Sequence, residues 1–401
     1  MKQVGSKWKE WIKKEIVLTI ALVLAVISAF VIVPDGQYLE YIDFRTLGLL
    51  FCLMAVMAGL QKLGVFTGIA RKLLGLVHSV RMLVLILILL CFVFSMVITN
   101  DVALITFVPF TFTVLKLVGK DAVKKLAIPV VAMQTVAANL GSMLTPIGNP
   151  QNLYLYGKAG LSVGAFLLLM LPYTLVSLVL LLLWCLTLKG GGQKVELAEG
   201  GMGTAKGAEV GAEDTAGTAT KAASGKAKSL QLPVYLLLFV LSLLTVARVI
   251  PCIAAVVIVL GILLWMDREV LFRVDYALLL TFVGFFIFIG NMGRIPAFNQ
   301  FLQEMILGNE VITAILSSQV ISNVPAALLL SGFTQEYAAL IVGTNLGGLG
   351  TLIASMASLI SFKYIGEEDK ERKGAYLLYF TVVNLIFLAV LLGFWCLIGR
   401  G

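Results

Sequence analysis

The sequence predicts an all-α membrane protein, because of its composition, its long apolar runs and two matched internal segments. Of its 401 residues, 60% are hydrophobic and only 13% are charged, whereas soluble domains carry about 25% charged residues. Apolar runs of about 17 residues or more recur along the chain, and this is the length that an α-helix needs to cross a bilayer. We therefore expect most of the chain to lie in a membrane.

About nine spans and two re-entrant hairpins are predicted. The spans are 16–33, 44–61, 126–157, 161–188, 231–249, 252–266, 276–293, 337–362 and 375–398, and the hairpins are 82–116 and 305–333. Polar residues break spans 126–157 and 337–362. Lysines and arginines flank 82–116 on both sides, so both ends should face the cytoplasm. A hairpin satisfies this condition, and a single span does not.

The chain is predicted to have two membrane repeats joined by a linker. Residues 1–188 form the first repeat with an N-terminal scaffold helix, 189–229 a flexible low-complexity linker, and 230–401 the second, inverted repeat. The net charge of +8 indicates basic cytoplasmic loops and not nucleic-acid binding. The basic N-terminus could begin a signal peptide, but a retained first helix with a cytoplasmic N-terminus fits better. These features predict a multi-pass protein of the cytoplasmic membrane, with lipid around it.

An internal duplication is visible at the two broken spans. Aligning "VAANLGSMLTPI" with "GTNLGGLGTLI" through Asn139 and Asn345 gives five identities in the ten columns 138–147. Upstream, Thr99 and Asn100 pair with Ser322 and Asn323. Small residues can simply pack helices closely, but they do not explain Asn, Gly and Thr clustered twice in the same order. Inverted repeats with broken helices are typical of secondary transporters, so the predicted fold is an inverted-repeat transporter.

The sequence contains few of the residue patterns that are typical of an enzyme's active site. The single His78 and five scattered cysteines form no metal pattern, and the clusters of Arg, His and acids that a lipid-phosphate enzyme needs are missing. A non-transporting receptor or assembly subunit is disfavoured by the duplicated, hinge-rich core. We expect no enzymatic activity and no cofactor other than a coupling ion.

These motifs resemble the ion transporter superfamily, which includes citrate and divalent-anion/sodium symporters and arsenite-permease or sodium–proton antiporter-like proteins. The hairpin motif Ser-Asn-Thr is matched at residues 99–101 and 322–324, with Asp101 and Val324 as departures. The unwound-helix motif Gly-x-x-x-Thr-Pro-x-Gly-x-Pro-x-Asn is matched at 141–152, and its second copy lacks the prolines. The resemblance implies an elevator carrier, in which hairpins and broken helices slide against a scaffold that forms a homodimer.

Helix breaks at membrane depth supply the chemistry of the expected site. Free N–H groups at helix starts suit an anion, and free carbonyls at helix ends suit Na⁺. The predicted substrate-binding residues are Asn100, Thr145, Pro146, Gly148, Asn149, Asn152, Asn323 and Thr351. The predicted ion-binding residues are Thr99, Asn100, Asp101, Gly141, Ser322, Asn323 and Gly347, with Asp101, Asn100 and Asn323 as candidate Na⁺ ligands.

Asp101 is the residue that most specifically indicates a functional site, because a carboxylate at membrane depth is energetically costly unless it is paired, protonated or ion-bound. It is predicted to bind a cation or proton, and the alternative is a cap on backbone N–H groups. Asp43 and Asp275 are predicted to cap helices. The predicted function is transport of a small anion, such as citrate or a dicarboxylate, coupled to Na⁺ or H⁺. The alternative, suggested by Asp101, is an arsenite-like oxyanion exporter or a Na⁺/H⁺ antiporter.

Overall fold

The regular secondary structure of the chain is helical throughout the described residues. The computed structural model describes residues 15–75, 77–187 and 223–398, with the side chains of 223–230 excepted. The predicted cytoplasmic N-terminus and most of the predicted linker, up to residue 222, lie outside this part of the chain. A helix begins at Ala223, so residues 223–229, which were predicted as linker, are helical.

The first half contains nine helices among its described residues. They are α1 Ile16–Val31, α2 Gln37–Tyr41, α3 Phe44–Lys62, α4 Val65–Leu74, α5 Val80–Ile98, α6 Asn100–Val118, α7 Lys120–Ser142, α8 Pro150–Ala159 and α9 Val163–Leu186. The pair α5–α6 is the first hairpin, and α7–α8 is the first broken helix. Both coincide with the segments that the sequence predicts to be interrupted.

The second half follows the same plan. It contains α10 Ala223–Val246, α11 Cys252–Met266, α12 Arg268–Leu271, α13 Tyr276–Gly293, α14 Pro296–Ile306, α15 Glu310–Ile321, α16 Asn323–Leu330, α17 Tyr337–Leu346, α18 Met356–Glu368 and, after a 3₁₀ turn, α19 Lys373–Ile398. The pair α15–α16 is the second hairpin, and α17–α18 is the second broken helix. The opposite membrane orientation of the two halves stays a prediction.

Six of the described helical segments are long and apolar enough to cross a membrane. They are α3, α5, α6, α9, α13 and the segment Lys370–Ile398. Shorter apolar helices include α1, α11, α15 and α17. The sequence-based prediction of an all-α membrane protein is therefore confirmed. The arms of the first hairpin are 19 residues each, or about 28 Å long at 1.5 Å per residue.

Close helix packing brings the two halves together. Gly284 of α13 lies against Ala21 of α1, and a Cβ at this position would be 3.0 Å from the alanine Cβ. Gly59 of α3 faces the ring of Tyr235 in α10, where a Cβ would overlap the ring at 1.9 Å. Only glycine allows these approaches, since normal carbon contacts are about 3.5–4.0 Å.

An ionic cluster joins the end of α3 to Asp267, between α11 and α12, and to Glu269 of α12. Lys62 Nζ lies 2.8 Å from Asp267 Oδ1 and 2.8 Å from Glu269 Oε2. Tyr235 donates a hydrogen bond to the other oxygen of Asp267 at 3.1 Å. The Asp267 side chain is 7% exposed, so its charge depends on these partners.

Candidate functional site

The two hairpin tips have the same backbone conformation. Thr99, between α5 and α6, has φ 74° and ψ 152°, and Ser322, between α15 and α16, has φ 74° and ψ 155°. Positive φ is uncommon for residues with a Cβ, and especially for a β-branched one. Such strain persists only where surrounding contacts hold it, and it clusters at functional sites. The matched turns support the pairing of the tips that the sequence indicates.

Each tip is hydrogen-bonded to the break of the broken helix in its own half. The first break is residues 143–149, between α7 and α8, and the second is 347–355, between α17 and α18. The N–H of Asn100 donates to the carbonyl of Gly148 at 3.3 Å, and the N–H of Asn323 donates to that of Ala354 at 2.9 Å. The alignment of Asn139 with Asn345 also places Gly148 opposite Ala354. The duplication in sequence therefore corresponds to a repeated contact.

A threonine in each break donates a hydrogen bond to the hairpin of the same half. Thr145 donates through Oγ1 to the carbonyl of Met96, and Thr351 donates to that of Gln319 at 3.2 Å. The Gln319 side chain also accepts from the N–H of Thr351 and donates to carbonyls of the same break. Both predicted threonine hydroxyls are thus engaged in holding the backbone.

Glycine is required where each broken helix crosses its hairpin. A Cβ on Gly141 would lie 1.9 Å from the carbonyl oxygen of Phe92 and 2.5 Å from Ser95 Oγ. A Cβ on Gly347 would lie 2.6 Å from Ser318 Oγ. The predicted ion-binding glycines therefore also let the helices touch.

Asn139 connects the two halves at the centre of the molecule. Its Oδ1 accepts from Asn100 Nδ2 at 2.9 Å and from Ser355 Oγ at 3.0 Å, and its Nδ2 donates to the carbonyl of Gly348 at 3.3 Å. It is 4% exposed. One amide thus links the first tip, the first broken helix and the second break.

Asn345, which is the counterpart of Asn139, makes the reciprocal connection. Its Nδ2 donates to Asn152 Oδ1 at 2.7 Å. The amide of Asn152 donates to the carbonyls of Ser142 and Thr145, and Asn149 Nδ2 donates to Ser142 Oγ at 2.7 Å. The predicted residues Asn149 and Asn152 therefore belong to one network with Asn139 and Asn345.

Several buried polar atoms in this network have no hydrogen-bond partner among the described residues. They include Asn149 Oδ1, Asn345 Oδ1 and Ser358 Oγ. The three residues are 3%, 3% and 0% exposed, respectively. Buried polar groups are nearly always paired, and an orphaned one calls for a ligand, an ion or a water molecule. Unpaired oxygens of this kind can complete the coordination of a bound cation.

Four helix starts meet here, and none is capped by the side chain of the residue that precedes it. The residues before α6, α8, α16 and α18 are Thr99, Asn149, Ser322 and Ser355, and none of their side chains accepts a cap hydrogen bond. Each start carries partial positive charge. The hydrogen bonds described above hold all four starts around Asn139 and Asn345, an arrangement that suits an anion.

Asp101 lies beside this network, in the first turn of α6, and is half-buried. Its N–H donates to Asn100 Oδ1 at 2.9 Å, but its carboxylate accepts no hydrogen bond from the described residues. The alternative role as a backbone cap is therefore not seen. The lining of a cavity of about 180 Å³ includes Asp101, Thr99 and Asn149 together with Arg273 and Asp275, which precede α13.

Asp43 and Asp275 cap helices, as predicted. Asp43 accepts from the N–H of Thr46 and Asp275 from that of Leu278, both at 2.9 Å. Among residues 15–75, 77–187 and 223–398, no three His, Cys, Asp or Glu side chains group as a metal site.

Sequence reasoning missed several residues of the network. Asn139 and Asn345 were used only to align the two halves. An Asn inside an apolar helix itself indicates a hydrogen bond to another helix. Gln319, Ser142 and Ser355 carry no pattern that marks them. The remaining predicted residues lie where expected: Pro146 and Gly148 are in the first break, and at Gly148 a Cβ would be 2.1 Å from the carbonyl oxygen of Ser142.

Comparison with known proteins identifies the family. The family model for citrate transporters matches residues 8–339. The chain belongs to the citrate transporter family. It is therefore a multi-pass membrane transporter and not an enzyme, as the sequence predicts.

Relatives agree with this assignment. The chain is 30% identical to an uncharacterized transporter of Methanocaldococcus jannaschii over 368 residues, covering 90% of this chain and 92% of that protein. It is 30% identical to the inner membrane protein YbiR of Escherichia coli over 342 residues, or 84% of each chain. It is also 33% identical to the silicon efflux transporter LSI3 of rice, Oryza sativa subsp. japonica, over 189 residues, covering 44% of this chain and 38% of that protein.

Proposed function

We propose that this member of the citrate transporter family carries a small anion across the cytoplasmic membrane, coupled to Na⁺ or H⁺. The observation that carries the proposal is the meeting of four helix starts, none capped by the side chain of its N-cap residue, beside the buried, unpaired amide oxygens of Asn149 and Asn345. The helix starts favour negative charge, and the oxygens are ligands for a hard cation. A site with both features binds an anion and a cation together.

A carboxylate such as citrate or a dicarboxylate is the proposed substrate, and the family description supports this class. Asn100, Asn149, Asn152 and Asn323 would bind it through amides and nearby backbone N–H groups. The two breaks would be shaped around it by Thr145, Pro146 and Gly148 in the first and by Thr351 in the second. Because no Lys or Arg lies in either tip, the substrate depends on the co-bound cation for charge balance.

The coupling ion is proposed to bind at the tips. Thr99, Asn100, Asp101, Ser322 and Asn323 supply oxygens there, and Gly141 and Gly347 let the backbone approach. Carbonyls at the ends of α5 and α15 add to this set. Movement would follow the elevator scheme in a homodimer, with the hairpins and broken helices sliding against helices such as α1, α10 and α11.

The test is uptake by proteoliposomes of labelled carboxylates and oxyanions, with Na⁺ and pH gradients imposed separately. We expect gradient-driven uptake of a carboxylate, and Asp101→Asn should lose the ion dependence while the protein remains folded. Asp121→Asn is the matched control, since Asp121 is an exposed aspartate in the first turn of α7. The proposal fails if neither gradient drives any substrate, and the coupling role fails if Asp101→Asn transports normally.

The second candidate is export of an arsenite-like oxyanion or Na⁺/H⁺ antiport. It is favoured by Asp101, whose carboxylate shares a cavity with Arg273 and Asp275, and by the partial similarity to a silicon efflux transporter. Vesicles loaded with arsenite or silicic acid would then release it when a proton gradient is imposed. Release from these vesicles, with no carboxylate uptake, would favour this candidate over the first.

A further inference from the structure

A larger cavity, of about 800 Å³, lies away from the tips, between the end of the first hairpin and the end of the second broken helix. One wall is apolar and includes Phe112 of α6, Val123 and Ile128 of α7, and Ile365 of α18. Because α6 is long and apolar enough to cross a membrane, this wall adjoins a membrane-spanning segment. Lys116, in the last turn of α6, also lines the cavity, so its basic side lies at the end of this segment, where a spanning helix reaches the lipid headgroups.

The other wall is basic. Lys120 and Lys124 are exposed and lie one turn apart on α7, and neither ammonium group has a hydrogen bond or ion pair with a described residue. Like charges at this spacing destabilise a helix by a few tenths of a kcal/mol. Arg372 donates to the carbonyl of Lys124 at 2.6 Å and to that of Val123 at 3.5 Å, so it is held in place without neutralisation by a carboxylate.

The acidic residues of the cavity do not balance these cations. Lys116 pairs with Glu368 at 2.6 Å, and Asp369 accepts from the N–H of Glu371 at 3.0 Å. The lining holds three lysines and one arginine against one glutamate and one aspartate, which leaves an excess of two positive charges. Basic surface beside an apolar wall is complementary to an amphiphilic anion.

We propose that this cavity binds an anionic phospholipid. Its phosphate lies between Lys120 and Lys124, and an acyl chain packs against the partly exposed Val123 and the small exposed edges of Phe112 and Ile128, which are 4% and 8% exposed. A soluble anion would use the lysines but would leave the apolar wall uncovered. Basic pockets between membrane helices commonly bind such headgroups, and the apolar surface adds about 0.8 kcal/mol for each buried CH₂ group.

The bound lipid would connect the two halves of the chain. The cavity joins the α6–α7 corner of the first half to the end of α18 in the second, where the Lys116–Glu368 pair already makes one link. The site lies apart from the proposed transport site, so the proposal holds whichever ion or substrate is carried.

The experiment is native mass spectrometry of the delipidated full chain, titrated with phosphatidylglycerol and, separately, phosphatidylcholine. We expect tighter binding of phosphatidylglycerol. The Lys120→Gln/Lys124→Gln variant should bind it about 30-fold more weakly, from the usual contribution of a basic residue near an anionic headgroup, and its phosphatidylcholine binding should not change.

The matched control is Lys125→Gln/Lys363→Gln, which removes the same charge from two exposed lysines outside the cavity. It should keep the wild-type affinity, as should Lys120→Arg/Lys124→Arg. Equal weakening in both glutamine variants would overturn the proposal, because bulk charge would explain it. Displacement of the lipid by an equal concentration of glycerol 1-phosphate would also overturn it, since that result indicates a site for a soluble anion.

Discussion

Replacement of Asn139 by alanine is the most direct test of the network at the centre of the molecule. The change removes hydrogen bonds to Asn100 at 2.9 Å, Ser355 at 3.0 Å and Gly348 at 3.3 Å. Three bonds at about 0.5–1.5 kcal/mol each sum to about 1.5–4.5 kcal/mol. The amide of Asn100 and the hydroxyl of Ser355 also lose this acceptor, at about 1–3 kcal/mol for a buried group left unpaired.

Asn384 provides the matched control. It is 0% exposed, and its Nδ2 donates only to the carbonyl of Phe380 in its own helix, at 2.8 Å. Its Oδ1 has no partner among the described residues, so Asn384→Ala loses one local bond and also removes an unpaired acceptor. We expect a change of about 1 kcal/mol or less in its free energy of unfolding.

The assay measures the thermal unfolding midpoint of the detergent-purified protein, with size-exclusion chromatography as the method that detects unfolding. Asn139→Ala should lower the midpoint by several degrees, since about 1 kcal/mol shifts it by a few degrees in chains of moderate size. Asn384→Ala should leave it nearly unchanged. Equal midpoints for the wild type and Asn139→Ala, or an equal loss in both variants, would refute the reasoning.

Two further predictions concern helix contacts. Gly141→Ala should destabilise the protein by about 1–3 kcal/mol, because the new methyl group overpacks against the Phe92 carbonyl. Gly157→Ala is the control: its Cβ would lie 3.8 Å from the nearest neighbour, so the change should be neutral or stabilising. Unfolding midpoints of both variants test this, and a wild-type midpoint for Gly141→Ala would contradict it. Lys62→Met should destabilise by about 3–5 kcal/mol because it leaves the Asp267 carboxylate buried without its cation. The double variant Lys62→Met/Asp267→Asn should recover most of this loss in the same assay, and no recovery would show that the pair is not the cause.

Long apolar helices could be predicted from the sequence nearly to the residue. Span 276–293 coincides with α13. The first break falls where Gly, Pro and Asn interrupt an apolar run, and the second falls where three glycines do. The short helices α4 and α14 were not predicted, because ten or eleven residues with mixed polarity resemble loops between spans. Pattern and length therefore suffice for elements that cross a membrane but not for those that lie beside one.

The site could be predicted only where the motifs repeat. Thr99 and Ser322 were found because their neighbours match in both halves, and the structure gives them one conformation. Arg273 lies in a loop far along the chain from Asp101, and no sequence pattern indicates that they share a cavity. The bonds of Gln319 to the second break likewise depend on three-dimensional packing.

The bond between Asn139 and Ser355 also has a consequence for biosynthesis. The two residues are 216 positions apart, and at about 5–20 residues per second the ribosome needs about 10–40 s to make that stretch. During this interval the first half has Asn139 without its Ser355 and Gly348 partners, and it has a polar break that lipid tolerates poorly. We expect the insertion machinery to shelter the first half until the second arrives to complete it.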